Sequence, residues 1–338
     1  MNQERNWHEM AREFVALGGV ADNVQFGRGR FGGGLFPIDQ SKPVRICIPE
    51  NLLLSAKYVR FIDNEFRVAP EAPVSNRERA FLENYERDFS WGIGRSDVEN
   101  LLTMIGEAPA GLRALLESPF GLGAWLIGPT PRSVQDRFLG SRLIQFKGEM
   151  VVMPIIELAN HGHAASYHPY NDRLELGGSF EDEVLVIYNN TDPLAIFGIW
   201  GFPSGAELFA LSMMLGLERK SGSLRVGRDL EKARNSQRGQ PLLPEVSIED
   251  AEVRLSHMLL GHKKFPRVAR GMFYKVMRQA GIYDAEETFD MIQHINRMQL
   301  YRLMEASEAA EPRLGNLLRS VARYQLECMS YSVGMREL

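Results

Sequence analysis

Between Gly27 and Gly34 the chain places five glycines in eight residues, Gly27-Arg28-Gly29-Arg30-Phe31-Gly32-Gly33-Gly34, and Pro37 lies just beyond. Inside a helix each glycine costs about 1 kcal/mol relative to alanine and a proline about 3 kcal/mol, so the segment cannot begin a helix. Gly27, Gly29 and Gly32 do fit the G-x-G-x-x-G spacing of a dinucleotide turn. That turn works by leading into a helix whose N-terminal amides hold pyrophosphate. Gly33, Gly34 and Pro37 directly downstream are compatible neither with that helix nor with a long βαβ unit. The glycines therefore let backbone pass close to something, or they form a surface turn.

The texture around this segment alternates. Residues 6–16, with Trp7, Met10 and Phe14 at helical spacing, predict a leading helix stopped by Gly18-Gly19. From Val24 to Leu54 short β-prone runs prevail, such as Val44-Arg45-Ile46-Cys47-Ile48, which Pro49 ends. Between about Val74 and Arg137 helical spacing returns, over Arg77–Phe89 and Asp97–Leu116, with Ser96 as the expected N-cap of the second helix. Strands are predicted again at Met150–Met153, Leu174–Leu176 and Val184–Tyr188. After Pro203 the expectation is helix to the end, interrupted by a loop at 234–244.

A chain of 338 residues, 44% hydrophobic, can bury a full core and has room for about two domains. Its net charge of -4 gives no general attraction to nucleic acid or an anionic membrane. Two cysteines, Cys47 and Cys328, are too few for a disulfide framework or a thiolate zinc site. No apolar run approaches the roughly 18 residues that span a bilayer, and Met1–Phe14 lacks a signal peptide's apolar core. The expectation is an intracellular, cytoplasmic protein with no membrane and no nucleic-acid partner.

Three further features could carry chemistry. His161, His163 and His168, with Glu157 as a carboxylate donor, could ligate zinc or iron, although loop histidines more often bond backbone. A buried Asn160-His161 pair would have to satisfy every donor and acceptor, and so would organise neighbouring backbone or a ligand. The run Lys263-Lys264-Phe265-Pro266-Arg267, continued by Arg270, Lys275 and Arg278 with Phe273 and Tyr274 between, is a solvated helix face or a surface for nucleic acid or acidic protein. Met291, Met298 and Met304 have the spacing of core filler.

Three separated segments, taken in order, resemble the signature pieces of the SET-domain methyltransferases, and in particular the Rubisco large-subunit methyltransferase-like subgroup. The first is Phe31-Gly32-Gly33-Gly34-Leu35-Phe36-Pro37 followed by Ile48-Pro49-Glu50-Asn51-Leu52. The second is Ser141-Arg142 with Pro154-Ile155-Ile156-Glu157-Leu158-Ala159-Asn160-His161. The third is Asp182-Glu183-Val184-Leu185-Val186-Ile187-Tyr188 with Gly198-Ile199-Trp200-Gly201-Phe202. Glu157 stands where the subgroup usually has Asp, Asn189 where it has Gly, and Trp200 where it has Tyr.

The resemblance implies an α+β fold: small SET-type β-sheets with a knot-like crossing, split by a helical insert, plus a C-terminal all-α domain. Its expected divisions are an N-terminal helix at 1–21, SET parts at 22–73 and 138–205, the insert at 74–137 and a helical substrate-binding domain at 206–338. It implies S-adenosylmethionine as cofactor, held by Phe31, Gly32, Gly33, Gly34, Arg142, Asn160, His161 and Tyr188. Tyr188 is the implied catalytic residue, Glu157, Trp200 and Phe202 face the substrate, and no metal is required. The partner is a protein carrying the target lysine. An inactive SET-like interaction module and a histidine-ligated metalloenzyme are the alternatives.

Overall fold

The structure is a computed structural model that describes residues 2–219, 222–230, 243–249 and 252–332. Most of the loop expected at 234–244 lies outside the described residues. The chain divides into two compact units, Met1–Glu99 with Thr130–Tyr188, and Asn100–Pro129 with Asn189–Leu338. Among the described residues no helix is long and apolar enough to cross a membrane.

In the first unit, helix α1 (Asn2–Ala16) buries Trp7, Met10 and Phe14, three and four residues apart on one face. The main sheet has the order β1-β4-β11-β10, from β1 (Val20–Asp22), β4 (Val44–Pro49), β10 (His168–Tyr170) and β11 (Arg173–Gly178). Central β4 buries Val44, Ile46, Cys47 and Ile48, so its apolar character is that of a strand covered on both faces. Strands β2 (Val24–Gly29) and β3 (Gly32–Pro37) form a hairpin in which Gly27 faces Gly34 and Gly29 faces Gly32. The glycine run is therefore a strand pair turning at Arg30-Phe31. Phe26 fastens it to the core, with ring centroids 6.1 Å from Trp7 and 5.6 Å from Phe89. Smaller pairs are β5 (Val59–Ile62) with β6 (Glu65–Val68), and β7 (Ile144–Phe146) with β8 (Glu149–Val151).

Helix α2 (Asn76–Phe89) starts at a reciprocal capping box, Ser75 with Glu78. The single helix expected over Asp97–Leu116 is two: α3 (Trp91–Gly106) and α4 (Ala110–Glu117). Pro109 cannot continue a helix and separates them. Ser96 is not a cap but lies inside α3, its Oγ donating to Ile93 O at 3.3 Å. Helix α5 (Pro131–Gly140) completes the helical stretch. Of the strand expected at Val184–Tyr188, only β12 (Leu185–Val186) pairs, parallel to β9 (Asn160–Ala165).

The second unit corrects the expectation of an all-helical C-terminus. After α6 (Pro193–Trp200) the described residues form six strands: β13 (Phe209–Leu211), β14 (Leu215–Arg219), β15 (Gly222–Val226), β16 (Val246–Glu249), β17 (Glu252–Leu255) and β18 (Leu259–His262). They form a sheet of order β14-β15-β17-β16 and a β13-β18 pair. At three to five residues each, these strands are too short to show an alternating period. Helices α7 (Val268–Gln279), α8 (Ala285–Ala306) and α9 (Pro312–Ser330) complete the unit. Met291 and Met298 are exposed, not core, because α8 buries the face carrying Phe289, Ile292, Asn296, Leu300 and Leu303.

Candidate active site

The segment before Asn160 turns under strain. Ile155 is fully buried yet has φ 71° and ψ -57°, and Ile156 N donates to Pro154 O at 2.9 Å, which makes a γ-turn of the rare positive-φ kind. A β-branched residue in that region costs on the order of 1–3 kcal/mol and persists only where surrounding packing holds it. The 3-10 turn Ile156–Leu158 comes next and directs Glu157 inward, its side chain only 2% exposed. Asn160 then opens β9.

Asn160 joins two distant segments. Its Nδ2 donates to Gly33 O at 3.0 Å and to Glu183 Oε1 at 2.5 Å, so both amide protons are used within the protein. Its Oδ1 has no hydrogen-bond partner among the described residues. Gly34 has to be glycine for this to happen: a Cβ there would lie 2.3 Å from Glu183 Oε1 and 2.7 Å from Asn160 Nδ2. Burial raises the Glu183 carboxyl above the usual carboxylate range, and the Asn160 hydrogen bond partly offsets this.

Tyr188 is held from both ends. Its backbone N donates to His161 Nδ1 at 3.2 Å, and its hydroxyl donates to Ala159 O at 2.9 Å. The Tyr188 and His161 ring centroids are 5.2 Å apart. Burial pushes the phenol well above its ordinary value, with Arg142 acting in the other direction, so the hydroxyl stays protonated at neutral pH.

Behind the tyrosine lies a buried acidic cluster. Tyr85 OH donates to Glu157 Oε1 at 2.9 Å, while Glu157 Oε2 is buried with no hydrogen-bond partner. Arg142 Nε stands 3.8 Å from that oxygen, too far to bond, and its guanidinium lies over the Phe138 ring at 3.8 Å. Glu86, also buried, accepts from Trp91 N at 3.3 Å. Burial, then the neighbouring Glu157, pushes Glu86 up to about 8, and burial likewise raises Glu157 against the pull of Arg142. At neutral pH the Glu86 carboxyl is therefore protonated, beside the one guanidinium of Arg142.

No family model matches the chain, and no curated protein does. Among solved structures it is similar to one described as the SET domain of LSMT bound to lysine and AdoHcy. The two share 11% identity over 96% of this chain and 89% of that chain, with a TM-score of 0.44.

Of the residues singled out in the sequence, Gly33, Gly34, Arg142, Glu157, Asn160, His161 and Tyr188 belong to the first unit and lie in this one arrangement. Phe31, at the hairpin turn, is exposed, and the space where a Gly32 side chain would stand is open. The His161 and His163 ring centroids are 5.9 Å apart, and His168 begins β10. Trp200 and Phe202 belong to the second unit, at the end of α6, where Gly201 takes the left-handed cap position (φ 78°). Sequence reasoning missed Tyr85, Glu86 and Glu183 as parts of the site. A signal for the first two existed: Glu86 sits in the stripe Phe81, Leu82, Tyr85, Phe89 that α2 buries, a position where an acid requires a reason.

Proposed function

We propose that the chain transfers a methyl group from S-adenosylmethionine to a lysine of a protein substrate. The observation that carries this is the immobilised Tyr188: three segments far apart in sequence, those of Gly33, Asn160-His161 and Glu183–Tyr188, are hydrogen-bonded to one another around it. The residues present fit the cofactor. Open backbone at Gly32, the unused Asn160 Oδ1 and the partly exposed Arg142 guanidinium offer contacts to its polar ends. The buried carboxyls of Glu157 and Glu183 favour a cation nearby.

S-adenosylmethionine supplies a methyl group already activated by its sulfonium. What the protein must add is alignment and a dry site, which can remove several kcal/mol of the barrier. With its proton committed to Ala159 O, the Tyr188 oxygen presents lone pairs that accept an N–H of the incoming amine and aim its nitrogen. Because the phenol is held neutral, it positions and does not act as a base. The lysine, of ordinary pKa near 10.4, must shed its proton before attack, and desolvation favours that loss. The expected substrate contacts Trp200 and Phe202 lie in the second unit.

Tyr188→Phe tests the proposal. The ring packing stays, so S-adenosylmethionine should raise the melting temperature of the variant as it does the wild type. Methyl transfer, followed with a tritiated methyl donor on cell extract, should fall by about 10² or more, the scale of a lost transition-state hydrogen bond. Near-normal transfer would remove Tyr188 from the reaction, and absent cofactor stabilisation in both proteins would remove the proposed activity.

A further inference from the structure

From Val253 to Tyr283 the chain has no Asp or Glu, in a protein whose net charge is -4. Within that stretch lie Lys263, Lys264, Arg267, Arg270, Lys275 and Arg278. They divide by environment. Lys263 pairs with Glu327 at 3.0 Å and Arg270 with Asp290 at 2.6 Å. Lys264, Arg267, Lys275 and Arg278 are exposed and form no ion pair with the described residues.

Helix α7 explains the division. It buries Ala269, Phe273, Val276 and Met277 on one side. Arg267, Gly271, Lys275 and Arg278 succeed one another at intervals of four, four and three, so they share the opposite, exposed side. At 1.5 Å per residue the stripe is about 16 Å long, and Gly271 leaves its middle open. Like charges so placed repel one another, at some cost to the helix. Of the aromatic residues on the helix, Phe273 is buried and Tyr274 accepts a hydrogen bond from Arg270 at 2.9 Å, while Phe265, before the helix, is exposed with its ring centroid 4.9 Å from that of His262. The stripe positions themselves carry no aromatic ring on which bases could stack, so the stripe suits carboxylates better than a single-stranded nucleic acid.

We propose that Lys264, Arg267, Lys275 and Arg278 form a docking surface for an Asp/Glu-rich segment of a protein, which is the substrate if the chain is a protein methyltransferase, the function on which this inference rests. Extended, about five residues of such a segment would span the stripe. The contact gives affinity and on-rate that weaken with salt, as exposed charge pairs do.

Fluorescence anisotropy with a labelled glutamate-rich peptide about ten residues long tests this on the full chain, without any methyl transfer. The wild type should bind it, more weakly as salt rises. The triple variant Arg267→Glu, Lys275→Glu, Arg278→Glu should lose affinity on the order of tenfold or more. A triple reversal at exposed Arg12, Arg113 and Arg132 changes net charge equally and should bind nearly as the wild type does. Circular dichroism confirms that both variants are folded. Equal binding by the two triples, binding no tighter than to a Gly/Ser peptide, or tighter binding of a labelled oligouridylate at the same salt would each overturn the proposal. Tyr188→Phe should bind the peptide normally, so a failure of catalysis and a failure of docking give different results.

Discussion

Glu86 has lost its water without gaining a cation of its own, and that makes stability depend on pH. Its native carboxyl titrates near 8, whereas the unfolded one ionises near 4.5. Because the native value is the higher, the unfolded chain releases the proton first as pH rises. The stability contribution is therefore complete below about pH 4.5 and is lost progressively up to about 8. One proton sets a limiting slope of about 1.4 kcal/mol per pH unit. Glu86→Gln keeps the shape and the hydrogen bond from Trp91 N while removing the titration. Its urea midpoint should exceed that of the wild type by a margin that grows from pH 5 to pH 8, and parallel curves would show that Glu86 ionises freely. Gly34 offers a second residue-scale test. In Gly34→Ala the new methyl must displace Glu183 or Asn160, costing about 1–3 kcal/mol. Thermal shift with S-adenosylmethionine should show the stabilisation reduced, whereas Gly216→Ala, where a Cβ meets nothing within 4 Å, should leave it unchanged.

Among elements, helices were legible and their partners were not. The leading helix, the helix over 77–89 and the strand at Val44–Ile48 are evident from spacing that a short window reveals, whereas the break at Pro109 divides what spacing alone joins over 97–116. The hairpin at Gly27–Gly34 could not be told from a surface turn, because what fixes it is Phe26 against Trp7 and Phe89. The γ-turn at Ile155 left no trace in the sequence, since isoleucine is the wrong residue for it by local preference. Glu183 likewise lies in a legible motif, but its role comes from the hydrogen bond it accepts from Asn160, 23 residues away, which no local pattern specifies. Helix α2 connects such details to the site, as it carries Tyr85 and Glu86 and begins at the Ser75–Glu78 box. Ser75→Ala removes the side chain that accepts from Glu78 N and should cost about 1 kcal/mol. Differential calorimetry should register a fall of a few degrees in melting temperature, and no change would mean that the box contributes nothing to α2.

At the scale of the molecule, the sequence suggested one β domain split by helices and a helical remainder, whereas the second unit gathers 100–129 and everything after Tyr188 around strands of its own. Its residues meet at a point no local pattern could show. Asp192, fully buried, caps α6 by accepting from Ala195 N at 2.9 Å and also accepts from Leu211 N at 3.0 Å. Arg228 Nη2 reaches its Oδ1 at 2.6 Å, and Gln325 Nε2 its Oδ2 at 2.9 Å. One carboxylate thus ties together the start of α6, the end of β13, the chain beyond β15 and helix α9. Such a pair need not stabilise more than apolar side chains of equal volume would, but removing one partner leaves a buried charge uncompensated. Arg228→Met should therefore destabilise the chain by about 3–5 kcal/mol. Adding Asp192→Asn to Arg228→Met removes the stranded charge while keeping a cap and an acceptor, so the double variant should recover part of the loss. Urea denaturation of the two single variants and the double variant measures this coupling. Strict additivity would mean that Asp192 is satisfied by Ala195 N, Leu211 N and Gln325 Nε2 alone and that Arg228 is there for some other reason.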